Sequence, residues 1–372
     1  MAIKRVRSKY YNYDFNTKNG AFGRWGETLA SEHDPDLSPI GPEIADIEIS
    51  TICNGIGKTL NACKPCPWCY KSNTGCGSNM SFDTFKDIFH KLPINLTQIA
   101  FGIGDIDGNP DLWKIMEYCR ENDYNKVAPN ITVNGMGITR EVAERLAGLC
   151  GAVSVSRYHI PKVCYDAVEK LANAGLKQVN IHQLFAEETL DSCYELFDDI
   201  KNDPRLSGLK SVVLLLLKPK GDRNNMTSIT DIEDFKAIFA DAQAKEISIG
   251  MDSCSAPLMM RTAVDTDQRE VIPSVEPCES TLFSIYINSD GKVFPCSFAD
   301  GADGWEHGID MADVSDFMKD VWFSKKLSGW RQGLLNSTQE CGHCETQSLC
   351  RSCPIYDITP CRPHQRSSLK IL

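Results

Sequence analysis

Cysteine residues crowd into two parts of this chain of 372 residues, which contains 17 of them. The first group comprises Cys53, Cys66 and Cys69, with Cys63 and Cys76 close by. The second group occupies the last hundred residues and is formed by Cys278, Cys296, Cys341, Cys344, Cys350, Cys353 and Cys361. Closely spaced cysteines act either as metal ligands or as disulfide partners. The spacing therefore predicts a metal centre or a disulfide framework, and the redox compartment decides between them.

Composition and charge exclude several classes of protein. The chain is 42% hydrophobic and 24% charged, with a formal net charge of −11. This excess of acid argues against nucleic-acid binding. The longest apolar run covers residues 212–217, too few to span a bilayer, and the N-terminus lacks the apolar stretch of a secretory signal. We therefore expect a cytoplasmic protein without a membrane anchor, in which thiols stay reduced and cysteine pairs bind metal.

Apolar periodicity indicates alternating strands and helices between residues 44 and 254. Strands are predicted at 44–50, 98–104, 130–133, 152–156, 178–184, 211–217 and 246–251. Helices are predicted at about 81–92, 109–119, 139–150, 161–174, 188–201 and 230–244. About six βα repeats favour an α/β fold with a parallel sheet. Periodicity alone leaves open a full barrel, a partial barrel or a doubly wound sheet.

The pattern changes on either side of this region. Residues 1–43 are polar and aromatic and are predicted to be an N-terminal extension before a domain of residues 44–255. Residues 283–294 read as a hairpin with a glycine turn. The remainder is rich in cysteine and in loops, as expected where metal holds the fold. We therefore predict a small third unit at residues 256–372.

The first cysteine group follows a predicted strand, where a loop can wrap a metal cluster while the strand fixes its base. Here the chain resembles the radical S-adenosylmethionine (SAM) superfamily, whose CxxxCxxC signature is usually followed by an aromatic residue. Cys53, Cys66 and Cys69 followed by Tyr70 fit this pattern, although the first gap is 12 residues rather than three. A competing set replaces Cys53 with Cys63. A zinc-stabilised loop uses the same ligands and is a further alternative.

The resemblance implies a partial (β/α)6 barrel of the TIM type and a SAM site beside Tyr70. Family members carry a Gly-Gly-Glu segment that contacts the amino group of SAM at the end of the second strand, where this chain has Gly102, Gly104 and Asp105. They place ribose and carboxylate contacts at the end of the fourth strand, where Ser156 and Arg157 stand. The alternatives are a strand-end turn with a solvated aspartate, and a buried serine beside a surface arginine.

The second cysteine group resembles the SPASM extension of radical SAM enzymes, which holds two auxiliary iron–sulfur clusters. The resemblance implies that Cys278, Cys296 and Cys353 hold the first auxiliary cluster. The second cluster is assigned to Cys341, Cys344, Cys350 and Cys361. The gap between Cys350 and Cys353 is two residues where three is usual, and the first cluster lacks a fourth ligand. Cys254 is a candidate for that ligand, and an open iron or a pair of zinc sites are the alternatives.

The resemblance also implies a chemistry. SAM bound to the open iron of the Cys53/Cys66/Cys69 cluster is cleaved to methionine and a 5′-deoxyadenosyl radical, which removes a hydrogen atom from substrate. The implied partners are a peptide or protein substrate and a reductant such as ferredoxin or flavodoxin.

Two further positions bear on the substrate. Sulfatase-maturing members have an aspartate where this chain has Ser297, so that activity loses support. Residues 218–223 follow the sixth strand and are expected either to contact a peptide carboxylate or SAM, or to form a solvated loop. The alternative function is a non-catalytic iron–sulfur carrier or a zinc-stapled binding protein.

Overall fold

Three short strands near the start of the chain form an antiparallel sheet of their own. They are β1 (Ile3–Arg7), β2 (Asn12–Asn16) and β3 (Phe22–Trp25), with β2 in the middle. The computed structural model describes residues 3–18, 20–29, 35–56, 66–338, 341, 344–356 and 358. Tyr11 and Tyr13 are fully buried and pack in one apolar cluster with Phe283. The predicted extension thus has its own sheet, and its status as a separate domain stays a prediction.

Seven parallel strands form the main part of a second sheet. They are β4 (Ile44–Glu48), β5 (Gln98–Gly102), β6 (Ala128–Val133), β7 (Val153–Arg157), β8 (Val179–Phe185), β9 (Ser211–Leu216) and β10 (Ile249–Met251). Each strand pairs in parallel with the next one along the chain. Consecutive strands can pair in this way only if each connection crosses back over the sheet.

Six helices supply these crossovers. They are α1 (Phe82–Lys91), α2 (Leu112–Glu121), α3 (Arg140–Leu149), α4 (Pro161–Asn173), α5 (Leu190–Asn202) and α6 (Ile232–Ala244). The predicted strands and helices are therefore confirmed, with ends shifted by a few residues. The second helix, predicted to start at Asn109, is instead capped by Asp111 and starts at Leu112. The buried Asn109 amide instead donates to the carbonyls of Ile49 and Met80, over 2.7 and 2.9 Å.

The C-terminal region continues the same sheet. Its elements are α7 (Ala256–Asp265), β11 (Ser284–Ile287), β12 (Lys292–Phe294), β13 (Ile309–Asp310) and α8 (Lys325–Leu335). Strand β11 lies parallel to β4, and β12 and β13 follow in antiparallel pairs, so the predicted hairpin is confirmed. Because β4 pairs with β11 rather than β10, the seven parallel strands do not close into a full barrel. The proposed domain boundary at residue 255 stays a prediction.

Side chains alternate between two faces of the parallel strands, as strand geometry requires. In β7, the buried Val153 and Val155 belong to the apolar core, whereas Ser154 and Ser156 are only partly buried. In β8, Val179 and Ile181 are fully buried and His182 is partly buried. The apolar face packs against the helices, and the other face forms a polar interior. No helix within the described residues is long and apolar enough to cross a membrane.

Candidate functional site

The first cysteine group lies just beyond β4, at the carboxyl edge of the parallel strands. The N–H of Cys53 donates to the carbonyl of Thr74 over 2.9 Å, which ties the start of the loop to its end. The N–H of Cys69 donates to the carbonyl of Cys66 over 3.4 Å. Burial, followed by the nearby Cys53 and Cys69 thiols, raises the pKa of Cys66 to about 12. The three predicted ligands are therefore brought together, and Cys63 lies outside the described residues.

Asp105, which follows β5, organises the start of this loop. Its Oδ2 accepts hydrogen bonds from the backbone and side-chain N–H groups of Asn54, over 2.8 and 2.6 Å. Its Oδ1 accepts from the Asn134 amide over 2.9 Å, and the same amide nitrogen lies 3.9 Å from Sγ of Cys53. Gly104 packs closely against Cys53, since a Cβ added at this glycine would lie 2.5 Å from Cβ of Cys53. Asp105 thus fixes the start of the Cys53 loop through Asn54 and Asn134, and Gly104 leaves room for the Cys53 side chain.

Ser156 and Arg157 point to opposite sides of β7. Ser156 hydrogen-bonds to Tyr158, whose pKa is raised by burial and by the thiols of the first group, so this face looks toward the cysteines. The Trp68 ring, between Cys66 and Cys69 in sequence, lies 5.9 Å from the Tyr158 ring. These aromatic rings therefore form part of the wall around the first cysteine group.

Arg157 corrects an expectation of the sequence analysis. Its guanidinium is buried and donates to the Tyr165 hydroxyl over 2.8 Å, to Gln183 over 3.2 Å and to the Ser192 carbonyl over 3.1 Å. It lies in the layer between sheet and helices, because adjacent strand residues face opposite ways. It is neither the surface arginine nor a side chain of the face that carries Ser156.

Tyr70 and Gly102 connect the first group to its neighbours. The Tyr70 ring stacks on Phe298 with 4.6 Å between ring centroids, and its hydroxyl lies 3.4 Å from Oγ of Ser297. Gly102, at the end of β5, lies against Glu48, since a Cβ there would be 3.4 Å from Cα of Glu48. Tyr70 therefore contacts the loop that follows Cys296, and Gly102 allows close approach of β4 and β5.

A buried polar network lies between the two cysteine groups. Lys71 donates to the hydroxyl of Tyr286 over 2.6 Å and to Asp300 over 3.0 Å, and its ammonium lies 3.3 Å from Glu48. The Tyr286 hydroxyl donates to Glu48 over 2.8 Å. Burial raises the pKa of Glu48, and Lys71 and the Tyr286 hydroxyl oppose that shift. The network joins the loop of Cys69 to β4 and β11.

Four thiols of the second cysteine region converge, and Cys254 is one of them. Burial raises the pKa of Cys254 well above its ordinary value, with further contributions from Cys278 and Cys353. Burial raises the pKa of Cys278 to about 12, with further contributions from Cys296 and Cys353. Each of the four thus lies close enough to others of the set to influence their ionisation. Cys254 therefore stays a candidate for the fourth ligand of the first auxiliary group.

The other cysteines divide into a loop set and a core set. Cys341 and Cys344 are exposed and Cys350 is half-buried, in a segment linked by turn hydrogen bonds. Cys361 lies outside the described residues, so the predicted second auxiliary set is described only in part. The buried thiols that belong to the helices and their ends are Cys119, Cys150, Cys164 and Cys193. They pack in the apolar core, where free thiols behave as small apolar side chains.

The donor set fits iron–sulfur clusters. Backbone N–H groups hydrogen-bond the thiols of Cys53 (from Gly55), Cys278 (from Ser280) and Cys296 (from Phe298 and Ala299). Such N–H···S bonds stabilise cluster thiolates and tune their potential. Within the described residues no three Cys, His, Asp or Glu side chains converge on a single-ion site.

Comparison with known proteins decides the class. Residues 278–354 match the family described as SPASM, iron-sulfur cluster-binding domain. The structure of anSMEcpe with bound AdoMet (SAM) and Cp18Cys peptide covers 82% of this chain and 88% of that chain, with TM-score 0.59 and 17% identity. A tagged form of anSMEcpe with bound AdoMet covers 83% and 85%, with TM-score 0.57 and 18% identity. The chain has the radical SAM fold and carries a SPASM domain.

The likeness to anSMEcpe establishes the fold, and no curated protein sequence matches this chain. The expected partial barrel and the expected SPASM domain are therefore confirmed, the latter over residues 278–354, whereas the predicted bounds of 256–372 stay a prediction. Because the SPASM family is an iron–sulfur cluster-binding one, iron is the metal assigned to this domain rather than zinc. Cys254 lies upstream of the matched residues and joins the SPASM cysteines only through the fold.

Several residues around the first cysteine group were not predicted from the sequence. Asn134 directly follows β6, the same relative position that drew attention to Asp105 after β5, and this signal could have found it. Glu48 ends β4 and could have been found in the same way. Tyr286 carried no comparable signal. Its partners Glu48 and Lys71 are far away in sequence, so only the fold brings it to the site.

Proposed function

We propose that this chain is a radical SAM enzyme that cleaves SAM reductively and removes a hydrogen atom from a substrate. The observation that carries the proposal is the convergence of Cys53, Cys66 and Cys69 at the carboxyl edge of a partial barrel. Three thiolates leave one iron of a [4Fe-4S] cluster without a protein ligand. That open iron is where SAM would bind. When bound and reduced, such a cluster supplies the electron that cleaves the sulfonium of SAM.

The residues around the thiols have distinct proposed roles. Asp105, Asn54 and Asn134 hold Cys53 in place, and Gly104 leaves room for it. Ser156, on the face that looks toward the cysteines, is proposed to contact SAM together with Tyr70 and the strand-end glycine Gly102. Arg157 is not retained for that role, since its donors are engaged in the helix layer.

The SPASM region is proposed to hold two auxiliary clusters. Cys254, Cys278, Cys296 and Cys353 would complete the first one with four protein ligands, which leaves no open iron for substrate. Cys341, Cys344, Cys350 and Cys361 would hold the second. With full cysteine ligation, the first auxiliary cluster is proposed to exchange electrons with the substrate rather than to bind it.

A peptide or protein is the proposed substrate. The support is that anSMEcpe, which shares the fold, has been solved with bound AdoMet and a peptide. The position directly after Cys296 carries Ser297 and no carboxylate, which speaks against formylglycine formation. A small iron–sulfur or flavin protein such as ferredoxin or flavodoxin is proposed as the reductant, and the cytoplasm as the compartment.

Anaerobic reconstitution with iron and sulfide tests the proposal. We expect about 12 iron atoms per chain and 5′-deoxyadenosine that forms only when SAM and a reductant are both present. Iron without SAM cleavage would support a non-catalytic electron carrier. Zinc in place of iron, again without SAM cleavage, would support a zinc-stapled binding protein.

Single cysteine variants sharpen this test. Cys66→Ala and Cys69→Ala should each abolish formation of 5′-deoxyadenosine, whereas Cys76→Ala, at an exposed cysteine, should leave it unchanged. Cys53→Ala and Cys63→Ala compared side by side identify the third ligand. Activity retained in Cys53→Ala and lost in Cys63→Ala would favour the competing set.

A further inference from the structure

The loop after β9, residues 218–223, carries three cations, and two of them, Arg223 and Lys220, bind the loops of the two cysteine groups. Arg223 contacts the first group: Nε donates to the carbonyl of Cys66 over 3.2 Å, and Nη2 donates to the carbonyl of Asn73 over 2.9 Å. Nη1 lies 3.4 Å from the carbonyl of Ser72. The arginine therefore spans the segment that contains Cys66 and Cys69.

Lys220 makes the matching contacts on the other side. Its ammonium donates to the carbonyls of Ser297 over 2.9 Å, Phe298 over 3.3 Å and Asp300 over 2.7 Å. These residues form the loop that directly follows Cys296. Three backbone carbonyls arranged around one ammonium satisfy its three donors and fix the path of that loop. Lys220 thus has no donor left for a substrate carboxylate.

Gly221 lies between Lys220 and Arg223 in the sequence and packs closely against Cys69 and Tyr70. Its φ is +104°, a conformation that favours glycine, and a Cβ there would lie 3.1 Å from Cα of Tyr70. The same Cβ would meet the carbonyl oxygen of Cys69 closer than van der Waals contact permits. The backbone of this loop is therefore packed directly against the Cys69 turn.

Lys218 anchors the start of the loop on the auxiliary group. It is buried and paired with Asp252, two residues before Cys254, and its ammonium lies 4.9 Å from the centre of the Phe298 ring. The solvated-loop expectation for residues 218–223 is thereby overturned, since both lysines and Arg223 are bound to protein groups. Every cation of the loop is engaged with one or the other cysteine region.

We infer that residues 218–223 form a positioning clamp that fixes the first cysteine group relative to the first auxiliary group. Arg223 holds the Cys66–Asn73 segment and Lys220 holds the Ser297–Asp300 segment, and Gly221 sets the distance between them. The cluster part of this inference rests on the proposed function. The clamp itself depends only on contacts between the described residues.

Crossed variants in the reconstituted full-length protein test the clamp. Lys220→Met and Arg223→Met each remove the donors at one end, and Lys210→Met, at an exposed lysine, is the matched control. Amide hydrogen exchange is followed in peptides covering residues 66–73 and 297–300. Because hydrogen bonds from charged donors are involved, we expect each variant to speed exchange at least about tenfold in both peptides, including the one that its own residue does not touch.

The double variant separates a clamp from two independent anchors. Lys71–Asp300 and Tyr70–Phe298 also link the two segments directly, so crossed effects alone are insufficient. If one clamp acts, the double variant should resemble the stronger single variant, because one released end makes the other ineffective. Effects that multiply in the double variant, or that remain within each residue's own segment, would overturn the inference.

Charge-conserving variants and an electron paramagnetic resonance spectrum distinguish loss of the clamp from misfolding of the variant protein. Lys220→Arg and Arg223→Lys keep a donor at each end and should restore most of the protection. In the loaded protein, Lys220→Met should also alter the electron paramagnetic resonance spectrum of the SAM-bound first cluster, although Lys220 donates to the auxiliary side. An unaltered spectrum in Lys220→Met would overturn the clamp. Absence of SAM cleavage in the unmodified chain would overturn the proposed function and leave the exchange result interpretable.

Discussion

The side-chain amide of Asn134 donates to Oδ1 of Asp105 over 2.9 Å and reaches to 3.9 Å from Sγ of Cys53. The other oxygen of Asp105 accepts two hydrogen bonds from Asn54. Family resemblance alone assigns this aspartate to the amino group of SAM. Its observed partners instead place it in support of Cys53, the proposed cluster ligand.

Asp105→Ala tests that assignment. Removal of the acceptor leaves Asn54 and Asn134 without their partner, so the Cys53 loop should loosen and iron should be lost from the first cluster at least about tenfold faster during a chelator challenge. Asp107→Ala, at the neighbouring exposed aspartate, is the control. Normal iron retention combined with weakened SAM binding would return Asp105 to the role that the resemblance implies.

Gly104→Ala should disrupt the first cluster through steric contact. The added Cβ would lie 2.5 Å from Cβ of Cys53, and nearby backbone cannot move aside easily. We expect loss of about four iron atoms per chain and of SAM cleavage, measured by iron analysis and 5′-deoxyadenosine formation. Gly148→Ala, in α3 with open space around the added Cβ, should leave both unchanged. Full iron content in Gly104→Ala would contradict the close approach of Gly104 to Cys53.

Cys254→Ala should remove one auxiliary cluster and leave the first cluster in place. Its thiol lies near Cys278 and Cys353, and the variant removes one of the four proposed protein ligands of that cluster. Iron content should fall by about four atoms per chain, while binding of SAM to the first cluster persists. Cys193→Ala, at a buried core thiol, controls for loss of a cysteine. An unchanged iron content would mean that Cys254 is not a ligand.

Arg157→Met should reduce stability without weakening SAM binding. The buried guanidinium bonds Tyr165, Gln183 and the Ser192 carbonyl, so its removal strands several polar groups. We expect the free energy of unfolding to fall by about 3 kcal/mol, measured by denaturant titration. A normal stability together with a large loss of SAM affinity would show that Arg157 serves the cofactor after all.

Glu43 should make stability depend on pH. Burial, then the charges of Glu279 and Glu276, raises the pKa of Glu43 from 4.5 to about 9, although Arg24 lies 3.4 Å away. Between those values the folded chain keeps a proton that the unfolded chain releases, so stability should fall as pH rises from about 5 to about 9. Thermal unfolding across that range measures the slope. Glu43→Gln should flatten it, whereas Glu233→Gln, at an exposed glutamate, should not.

Much of the fold could be predicted from the sequence because its signals are local. Apolar residues recur at helical spacing in Phe82, Phe85 and Phe89, and this pattern alone indicates α1. The cysteine spacing of residues 278–354 likewise stands in the sequence and matches a family pattern. Asn109 is a residue for which the local sequence signal gives the wrong structure. Its place before Pro110 resembles a helix cap, but its amide is drawn to the carbonyls of two other segments.

The chain's own sequence determined that two groups of thiols exist, that βα units precede the second group, and that the first group follows a strand. Tertiary structure alone decided how these parts meet. It brought Cys254 to the SPASM cysteines, turned Arg157 away from Ser156, and set Lys220 and Arg223 between the two groups. The physical reason is that residue type and spacing fix local conformation, whereas hydrogen bonds between distant segments depend on how the sheet brings its edges together.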